Sequence, residues 1–395
     1  MTILIFHQYF STNKGSYGTR LYEFANYWVQ KGFKVKVVTS LYYKSDLKQN
    51  KLGNRFEMDG IELIVLNIPV SNKHNLFKRI YHFFIYSLFS IRHALREDCD
   101  VVLASSGPIS TGIPALIAKK FRKKPFIFEV RDLWPGVVEE IGVIRNKLVL
   151  NFAYWFEKYC YSKADEIVAL SPGMENDIKR RFKNVKTNCV YNTANPDIFK
   201  SNGNIESPEK TVIYTGNIGL VNNTLLLIKA AHLLKKQGRT DIKIVIIGDG
   251  QLKELVQDLK KKLNLTNLIL INSIPKEELI NHLQNASASV IPLMDKEILN
   301  TSSPNKLYES LMTGVPVIQT TSGWIKEMLA ENNCGISVSP TDETELVAAI
   351  LKLIDIKDVR IEMSLNARKV ALENYTTKKQ ASIYIDIFNS YKKVS

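Results

Sequence analysis

The sequence predicts an α/β protein made of two doubly wound domains in tandem. Three observations lead to this prediction. Short apolar runs alternate with runs of helical period along the chain, the pattern restarts after a polar segment at 192–208, and a glycine-bearing turn follows the first strand of each half. With 395 residues, of which 45% are hydrophobic, the chain is long enough for two or three well-formed cores.

Strand-like segments define the two predicted domains. In the first domain, residues 1–195, they are TILIFHQYF, KVKVVTS, IELIVLNIP, VVLASSG, PFIFEV and EIVALS. In the second, residues 205–370, they are TVIYTG, IKIVIIGDG, LILINSI, ASVIPL and VPVIQT. The Asn, Pro, Ser and Gly content of 192–208 predicts the linker. A ligand is expected in the central cleft that the two domains face, at the carboxyl ends of the strands.

The glycine turns come directly before predicted helices. Gly15 and Gly18 precede a helix of clear apolar period that stops at Gly32, and Gly216 and Gly219 lie in the corresponding YTGNIG turn. Both turns have room for a phosphate or a sugar against bare backbone. The alternative is that these glycines serve only the geometry of tight turns.

Several other motifs carry no prediction of a metal or cofactor. The GDG at 248–250 lacks dinucleotide spacing because residue 253 is Lys, and no Walker pattern is present. Asp98 and Asp100 precede a strand and are expected to be turn residues rather than metal ligands. The four cysteines have no CxxC spacing, so neither a zinc site nor a disulfide framework is predicted.

The stretch SPNKLYESLMTG, residues 303–314, predicts a short helix with a charged start. Ser303 is the predicted N-cap, and the proline after it suits the first helical position. Asn305, Lys306 and Glu309 share one face. A cation at a helix N-terminus suits a phosphate, and a carboxylate one turn deeper suits two hydroxyls, as in a sugar nucleotide. The alternative is an exposed Lys–Glu pair on a surface helix.

Positive charge is concentrated in the first half of the chain. Residues 1–195 hold 29 basic and 17 acidic residues, whereas 196–395 hold 24 and 22. The segment 75–96 mixes cations with aromatics as interfacial helices do, and KKFRKK at 119–124 adds charge. This pattern predicts contact with an anionic membrane surface, and the alternative is a solvated basic face beside a core helix. No apolar run is long enough to cross a bilayer and no signal peptide is visible, so a cytoplasmic chain is expected.

Taken together, seven strings in order resemble family 4 of the retaining glycosyltransferases, which have the GT-B fold, over nearly the full length. They are GSYGTRLYEFANYWVQKGFKVKVVTS, FEVRDLWP, ADEIVALSPGM, YTGNIG, IIGDGQLKEL, LQNASASVIPL and SPNKLYESLMTGVPVI. The first, second and last are most similar to the branch that adds amino-deoxyhexoses such as N-acetylfucosamine in bacterial O-antigen or capsule synthesis. The resemblance implies transfer from a UDP-sugar to a polyprenyl-diphosphate-linked saccharide, with no metal, no cofactor and no nucleic acid.

The resemblance also implies roles for individual residues. It places the nucleotide in the C-terminal domain and the acceptor against the N-terminal one, on which the last helix, about 375–391, is expected to pack. Glu309 would bind the ribose hydroxyls, while Asn305 and Lys306 would approach the diphosphate. The further donor-binding positions that it implies are Ser303, Gly216, Asn217, Gly219, Gly248 and Ile274.

The first domain supplies the remaining candidates. Gly15 and Gly18 would let the N-terminal loop close over the donor. In FEVRDLWP, Arg131 and Asp132 occupy the strand end where the family keeps a polar residue, often histidine, and they are the candidate catalytic residues. Asp132 is either the general base or one half of a structural ion pair with Arg131.

Two departures from the family pattern bear on the donor site. The acid that usually faces the transferred sugar is replaced by Thr301, so that Glu309 stands alone. The Arg and Lys of the usual diphosphate clamp are replaced by Asn217 and Asn222, and Lys306 with the helix N-terminus is expected to take over their charge.

Two other functional classes stay open. A UDP-sugar epimerase shares the two-domain architecture, and it would turn a donor into a new sugar nucleotide without any acceptor. A non-enzymatic binder of anionic polymers or membranes is suggested only by the basic first half.

Overall fold

The computed structural model describes residues 1–12, 14–15, 19–43, 45–47, 54–71, 74, 76–201 and 209–392. The chain forms two compact units. Unit 1 comprises Met1–Tyr191 and Thr377–Ser395, and unit 2 comprises Asn192–Thr376. The chain therefore passes into unit 2 slightly before residue 195, and unit 2 extends slightly beyond residue 370.

Unit 1 contains an eight-stranded sheet in the order β3-β4-β2-β1-β5-β6-β7-β8. The strands are β1 (Thr2–Phe6), β2 (Lys34–Tyr42), β3 (Asn54–Met58), β4 (Ile61–Val70), β5 (Val101–Ser105), β6 (Phe126–Val130), β7 (Glu166–Ala169) and β8 (Thr187–Cys189). All neighbouring pairs are parallel except β3 with β4. The central strands are continuous apolar runs because helices cover both faces of the sheet.

The β3–β4 hairpin at the edge of the sheet is antiparallel. Its turn is Asp59-Gly60, and both residues have positive φ, 51° and 75°. Two successive residues with positive φ make the turn that suits the twist of a two-residue hairpin, and Asp-Gly is a favoured sequence for it. The strands predicted for the first domain did not include this hairpin.

The helices of unit 1 lie on the two faces of the sheet. They are α1 (Arg20–Gln30), α2 (Leu76–Arg96), α3 (Gly112–Arg122), α4 (Gly136–Glu140), α5 (Lys147–Lys163), α6 (Pro172–Arg181) and, from the end of the chain, α14 (Thr377–Ser390). Ile3 and Ile5 of β1 share one core with α1 and α14. Because side chains alternate across a strand, Leu4 and Phe6 point to the opposite face. On that side α3 packs between α2 and α5.

The last helix, α14, is held on unit 1 by side-chain contacts with α1. The indole of Trp28 donates to the Ala381 carbonyl at 2.9 Å, and the Thr377 hydroxyl donates to the Glu23 carboxylate at 2.8 Å. The rings of Trp28 and Phe388 meet edge to face with centroids 5.0 Å apart. The C-terminal segment thus fills part of the core of unit 1.

Unit 2 contains a six-stranded parallel sheet in the order β11-β10-β9-β12-β13-β14. Its strands are β9 (Glu209–Asn217), β10 (Lys243–Asp249), β11 (Leu268–Ile271), β12 (Ala286–Ile291), β13 (Val317–Gln319) and β14 (Gly335–Ser337). Its helices are α7 (Thr224–Lys236), α8 (Lys253–Lys262), α9 (Lys276–Gln284), α10 (Asn305–Thr313), α11 (Trp324–Glu331), α12 (Glu343–Asp355) and α13 (Lys357–Asn374). This is the predicted doubly wound arrangement.

None of the helices in the part of the chain that the structure describes is long and apolar enough to cross a membrane.

Candidate functional site

Helix α10 begins one residue later than the sequence pattern predicts. Pro304 is the N-cap, with extended backbone, and Asn305 is the first helical residue. Ser303 is therefore not the N-cap. Its hydroxyl forms a hydrogen bond of 2.6 Å with the Tyr308 hydroxyl, so the phenol takes the oxygen that would have capped the helix. At the other end Gly314 has φ of 80°, the left-handed conformation that stops a helix there.

Lys306 is buried at the start of α10, with 8% of its surface exposed. Its ammonium lies 4.3 Å from the centroid of the Tyr214 ring and donates a hydrogen bond of 3.1 Å to Oδ1 of Asn222. Burial lowers the pKa of Lys306 to about 7, although the nearby Glu309 carboxylate raises it. The charge is thus poorly compensated in the free protein, and an anion at this point would stabilise it.

The glycine turn after β9 lies directly against Lys306. Gly216 has φ of 130°, and a Cβ placed there would lie 3.3 Å from Cε and 3.4 Å from Nζ of Lys306. A side chain at this position would therefore crowd the ammonium. A Cβ on Gly219 would meet only the side-chain amide of Asn217, at 2.5 Å, and this exposed side chain can move away.

Gly248 has a geometric reason to be glycine. It pairs with Gly216 across β10 and β9, and a Cβ on Gly248 would lie 1.8 Å from the Gly216 carbonyl oxygen. The absence of a side chain at Gly248 lets two strand ends approach each other beside the turn. The donor-binding role implied for Gly248 stays a prediction.

Glu309 is buried, with 7% of its surface exposed, and it is paired with a cation that the sequence analysis missed. Nζ of Lys276 lies 3.0 Å from Oε1 of Glu309. Lys276 is the first residue of α9 and stands two positions after Ile274, which is partly buried. The burial of both Lys306 and Glu309 excludes the exposed-pair alternative. No spacing in the sequence links α9 to α10, so this pair emerges only from packing.

The carboxyl ends of β1, β5 and β6 meet at one edge of the unit 1 sheet. Arg131, directly after β6, donates two hydrogen bonds: its backbone N–H donates to the Ser106 hydroxyl at 3.0 Å, and its guanidinium donates to Nε2 of His7 at 3.3 Å. Burial and Arg131 lower the pKa of His7 to about 3, so this imidazole is a neutral acceptor. His7 was missed because the sequence pattern read it as strand.

Asp132 follows Arg131 at the same edge and keeps an exposed surface. Desolvation raises the pKa of its carboxyl to about 6, and the charge of Arg131 only partly opposes this rise. None of the ion pairs within the described residues joins Arg131 to Asp132, which disfavours the structural-pair interpretation. A carboxyl with this pKa exchanges its proton near neutral pH, as a general base must.

A buried network lies beneath this edge. The Glu129 carboxylate, in β6, accepts hydrogen bonds from the Arg20 guanidinium, from the Tyr384 hydroxyl and, at 2.7 Å, from the Ser105 hydroxyl. Burial alone would raise the pKa of Glu129, but Arg20, Arg131 and these donors outweigh it and lower the pKa to about 2. The network fixes β6 and thereby the residues that follow it.

The N-terminal loop is described only in part. Gly15 is buried, and its N–H donates to the Thr12 carbonyl at 3.0 Å in a tight turn. Gly18 lies outside the described residues, so the predicted closing role of Gly15 and Gly18 stays a prediction. In the described part of the chain, no group of three or more His, Cys, Asp or Glu side chains is arranged to hold a metal ion.

Family models match the chain in two consecutive parts. Residues 17–198 match the model for Glycosyltransferase Family 4, and residues 196–370 match the model for Glycosyl transferases group 1. The border between the two matches lies close to the passage from unit 1 to unit 2 at Asn192.

Two curated relatives are named for sugar transfer. The chain is 23% identical over 240 residues to N-acetyl-alpha-D-glucosaminyl L-malate synthase of Bacillus anthracis, covering 58% of this chain and 61% of that protein. It is 26% identical over 252 residues to N-acetylgalactosamine-N,N'-diacetylbacillosaminyl-diphospho-undecaprenol 4-alpha-N-acetylgalactosaminyltransferase of Campylobacter jejuni, covering 61% and 64%. The chain thus spans less than two thirds of the length of either relative.

Solved structures share the whole fold. Anabaena HepE in complex with UDP and glucose superimposes with a TM-score of 0.71 at 14% identity, over 98% of this chain and 99% of that one. At this identity the likeness concerns the fold alone. With the two consecutive family matches and the two doubly wound units, it establishes that the chain belongs to the glycosyltransferases with the GT-B fold.

Proposed function

We propose that the protein is a retaining glycosyltransferase that moves a sugar from a UDP-sugar to a lipid-linked saccharide. The transferred sugar is an N-acetylated amino or deoxyamino hexose, and the product belongs to a cell-surface polysaccharide such as O-antigen or capsule. The reaction uses no cofactor and no metal in this proposal, since a buried ammonium and a helix N-terminus supply the positive charge that a departing diphosphate needs.

The observation that carries the proposal is the position of Lys306 under the Gly216 turn. Its ammonium is buried, has a pKa lowered to about 7, and faces a turn where only glycine leaves it uncrowded. A diphosphate lying on the turn would accept hydrogen bonds from Lys306 and from N–H groups in the first turn of α10. Asn305 begins the first turn of α10, whereas Asn217 and Gly219 belong to the glycine turn after β9.

Glu309 supports the nucleotide part of the proposal. Its carboxylate is buried, and Nζ of Lys276 lies 3.0 Å from Oε1. This ion pair fixes the orientation of the carboxylate. A carboxylate held in this way is suited to accept hydrogen bonds from the two ribose hydroxyls. In this proposal Ile274, on the loop before α9, lies near the base of the nucleotide. Anabaena HepE, which has the same fold, was solved with UDP.

The proposed proton transfer uses residues at the carboxyl edge of the unit 1 sheet. Asp132, with a pKa of about 6, takes the proton of the acceptor hydroxyl, and Arg131 holds the strand end through His7 and Ser106. Retention is assigned to attack on the face from which the diphosphate departs, with a diphosphate oxygen assisting the proton transfer. This assignment follows the family resemblance.

The proposed acceptor is linked to a polyprenyl diphosphate. One relative is named for an acceptor on diphospho-undecaprenol, and the first half of the chain carries most of the +14 net charge. Positive charge near an anionic leaflet favours adsorption. We therefore place the protein at the cytoplasmic face of the bacterial inner membrane, as a peripheral protein.

A donor screen by thermal unfolding tests the proposal. UDP should raise the unfolding temperature in proportion to the logarithm of its concentration, whereas GDP and dTDP at equal concentration should raise it less. Lys306→Met should abolish the shift, and Lys326→Met, which removes an exposed lysine from α11, should retain it. Equal shifts in wild type and Lys306→Met would contradict the assigned donor site.

The same preparation separates transfer from epimerisation. Incubation of the protein with a UDP-sugar alone should leave the sugar nucleotide unchanged apart from slow hydrolysis. A new UDP-sugar epimer formed without an acceptor would overturn the transferase proposal in favour of the epimerase.

A further inference from the structure

Helix α2 presents large apolar side chains outwards and turns its serine hydroxyls and one imidazole inwards. Phe77 is 84% exposed, whereas Tyr86 is fully buried and donates through its hydroxyl to the Val38 carbonyl at 2.6 Å. Ser87 donates to the Ser110 carbonyl at 2.8 Å. The outward residues are Phe77, Ile80, Tyr81, Phe84, Leu88 and Phe89. A helix that faces water has the opposite arrangement, so α2 is built for an apolar surrounding on its outer side.

Helix α5 repeats this arrangement. Its outward stripe is Leu148, Phe152, Trp155 and Tyr159, with Leu148 80% exposed and Trp155 57% exposed. The rings of Trp155 and Tyr159 stack with centroids 5.8 Å apart. The acidic residue of the helix, Glu157, points inwards instead and is paired with Arg181 at 2.7 Å.

These two helices belong to one surface. Helix α3 packs between them on the same side of the sheet and adds Phe121, which is exposed. Of the twenty-one large apolar side chains that are exposed within the described residues, thirteen lie on α2, α3 and α5. Monomeric proteins rarely expose an apolar surface of this extent unless it binds a partner or a membrane.

The same surface is positively charged. Helices α2, α3 and α5 carry four, three and three Lys or Arg residues, and Glu157 is their single acidic residue. Two of the cations of α3 are engaged within the protein, because Lys119 pairs with Asp165 at 2.7 Å and Arg122 donates to the Ala94 carbonyl at 3.2 Å. Aromatic and aliphatic side chains among cations match the boundary between lipid head groups and acyl chains. A protein partner would need an acidic rim around an apolar centre to match this surface, whereas an anionic bilayer matches it directly.

The position of the surface fits an acceptor held in a bilayer. Helices α2 and α3 come after β4 and β5, and all three helices lead into the next parallel strand, β5, β6 and β7, so each begins towards the carboxyl edge of the sheet. Phe77 and Leu148, near the starts of α2 and α5, therefore lie towards the edge that carries Arg131 and Asp132.

We propose that the outer surface of α2, α3 and α5, called here the α2–α5 face, binds the surface of a bilayer that contains anionic lipid. Phe77, Phe84, Leu148, Phe152 and Trp155 enter the boundary between head groups and acyl chains, and the lysines and arginines meet the lipid phosphates. The purpose of this binding, delivery of a lipid-linked acceptor, rests on the proposed function. The binding deepens the peripheral location proposed above by naming the surface that makes the contact, and the exposure and charge of that surface are independent of the donor site.

Vesicle flotation with the full-length chain tests the proposal. Wild type should float with vesicles of phosphatidylcholine and phosphatidylglycerol, and should bind pure phosphatidylcholine at least tenfold more weakly. Phe152→Gln with Trp155→Gln, and separately Phe84→Gln with Leu88→Gln, should each lower partitioning into anionic vesicles at least tenfold. The matched control is Leu365→Gln with Leu372→Gln, which removes two exposed leucines from α13 and should bind as wild type does.

Folding and self-association are checked on the same variants. Circular dichroism and unfolding temperature should match wild type, because the replaced side chains lie outside the core. Quenching of tryptophan fluorescence by brominated lipid should fall in Trp155→Phe. Flotation of both double variants equal to that of wild type would overturn the proposal. A lipid-free dimer that both double variants dissociate would also overturn it, because the face would then bind a second copy.

Calorimetric titration with UDP separates this inference from the proposed function. The α2–α5 face variants should keep the UDP affinity of wild type. If wild type does not float with anionic vesicles but still catalyses transfer from a UDP-sugar, the proposed α2–α5 face is wrong and the proposed transferase function stands. If wild type floats but does not bind UDP, the α2–α5 face stands and the proposed function is wrong.

Discussion

Lys306 shows how a binding residue can oppose the stability of the fold that holds it. Its ammonium is buried, and its aromatic and amide neighbours, Tyr214 and Asn222, only partly replace water. Because its pKa falls to about 7 on folding, the unfolded chain binds the proton more tightly than the folded chain between this value and the ordinary lysine pKa. The charge therefore destabilises the folded state most below pH 7, and this destabilisation disappears as the pH rises.

Lys306→Met should consequently stabilise the protein while it weakens donor binding. The free energy of unfolding should rise by on the order of 2 kcal/mol at pH 6.5, and the gain should shrink towards pH 9.5. Affinity for UDP should fall at least tenfold because a charge-assisted hydrogen bond is lost. Denaturant unfolding at both pH values and calorimetry check this, with Lys326→Met as the exposed control. A destabilised Lys306→Met variant would contradict the argument.

Proton uptake gives a second test of Lys306. At pH 8 most of the Lys306 population is neutral, since its pKa is about 7. A bound diphosphate favours the charged form and raises this pKa, so UDP binding should take up a fraction of a proton. Calorimetry in buffers of different ionisation enthalpy measures the uptake. It should vanish in Lys306→Met, and persistence there would assign the proton to another group.

Asp132 predicts the acid limb of the activity profile. A base with a pKa of about 6 is inactive when protonated, so kcat/KM should rise with pH through this value. At higher pH it should fall again, because Lys306, with a pKa of about 7, loses the charge that binds the donor. Asp132→Asn should lower kcat about 100-fold or more and remove the limb. UDP affinity is the control, and it should be unchanged. A variant that keeps both its rate and its pH profile would assign Asp132 a structural role.

At the scale of elements, α14 and β6 are joined by one buried carboxylate. The hydroxyl of Tyr384 donates to Glu129, which also accepts from Arg20. Arg20 lies near the start of the chain and Tyr384 near its end, yet both belong to unit 1 with Glu129. The C-terminal helix is therefore part of the support for the strand end that carries Arg131 and Asp132.

Tyr384→Phe should destabilise unit 1 without changing its shape. Loss of a hydrogen bond to a buried charged acceptor should lower the free energy of unfolding by about 1 to 3 kcal/mol. Tyr27→Phe is the matched control, because its hydroxyl meets the neutral Ser382 hydroxyl at 3.2 Å and its loss should cost clearly less. Denaturant unfolding followed by circular dichroism provides the measurement. Equal losses in the two variants would show that the charge of Glu129 adds nothing to the contact.

At the scale of the whole molecule, the two proposed ligands belong to different units. The donor residues Gly216, Lys306 and Glu309 lie in unit 2, whereas the α2–α5 face lies in unit 1. Hydrogen exchange followed by mass spectrometry should therefore show UDP slowing exchange around 216–223 and 305–309. Anionic vesicles should slow it in the outer parts of α2 and α5. Protection by UDP confined to unit 1 would contradict the assignment of the donor site.

The sequence by itself determined the alternation of strands and helices, the two doubly wound units and the existence of α10, whose start it placed one residue too early. Apolar runs of strand length, glycine turns and a proline at a helix start depend only on residues that are close in the sequence, so they can be recognised without the structure. The main local misses were a short edge hairpin, whose Asp-Gly turn was present but overlooked, and Ser303, whose hydroxyl bonds Tyr308.

Tertiary structure alone decided which groups meet. The pairs Lys276–Glu309, Lys306–Asn222, Arg131–His7 and Tyr384–Glu129 join residues that are 33, 84, 124 and 255 positions apart. Burial of Lys306 and exposure of Trp155 likewise depend on what packs against each helix. Side-chain period reports which residues share a face, but the partner of that face, whether protein, ligand or lipid, is fixed only when the chain has folded.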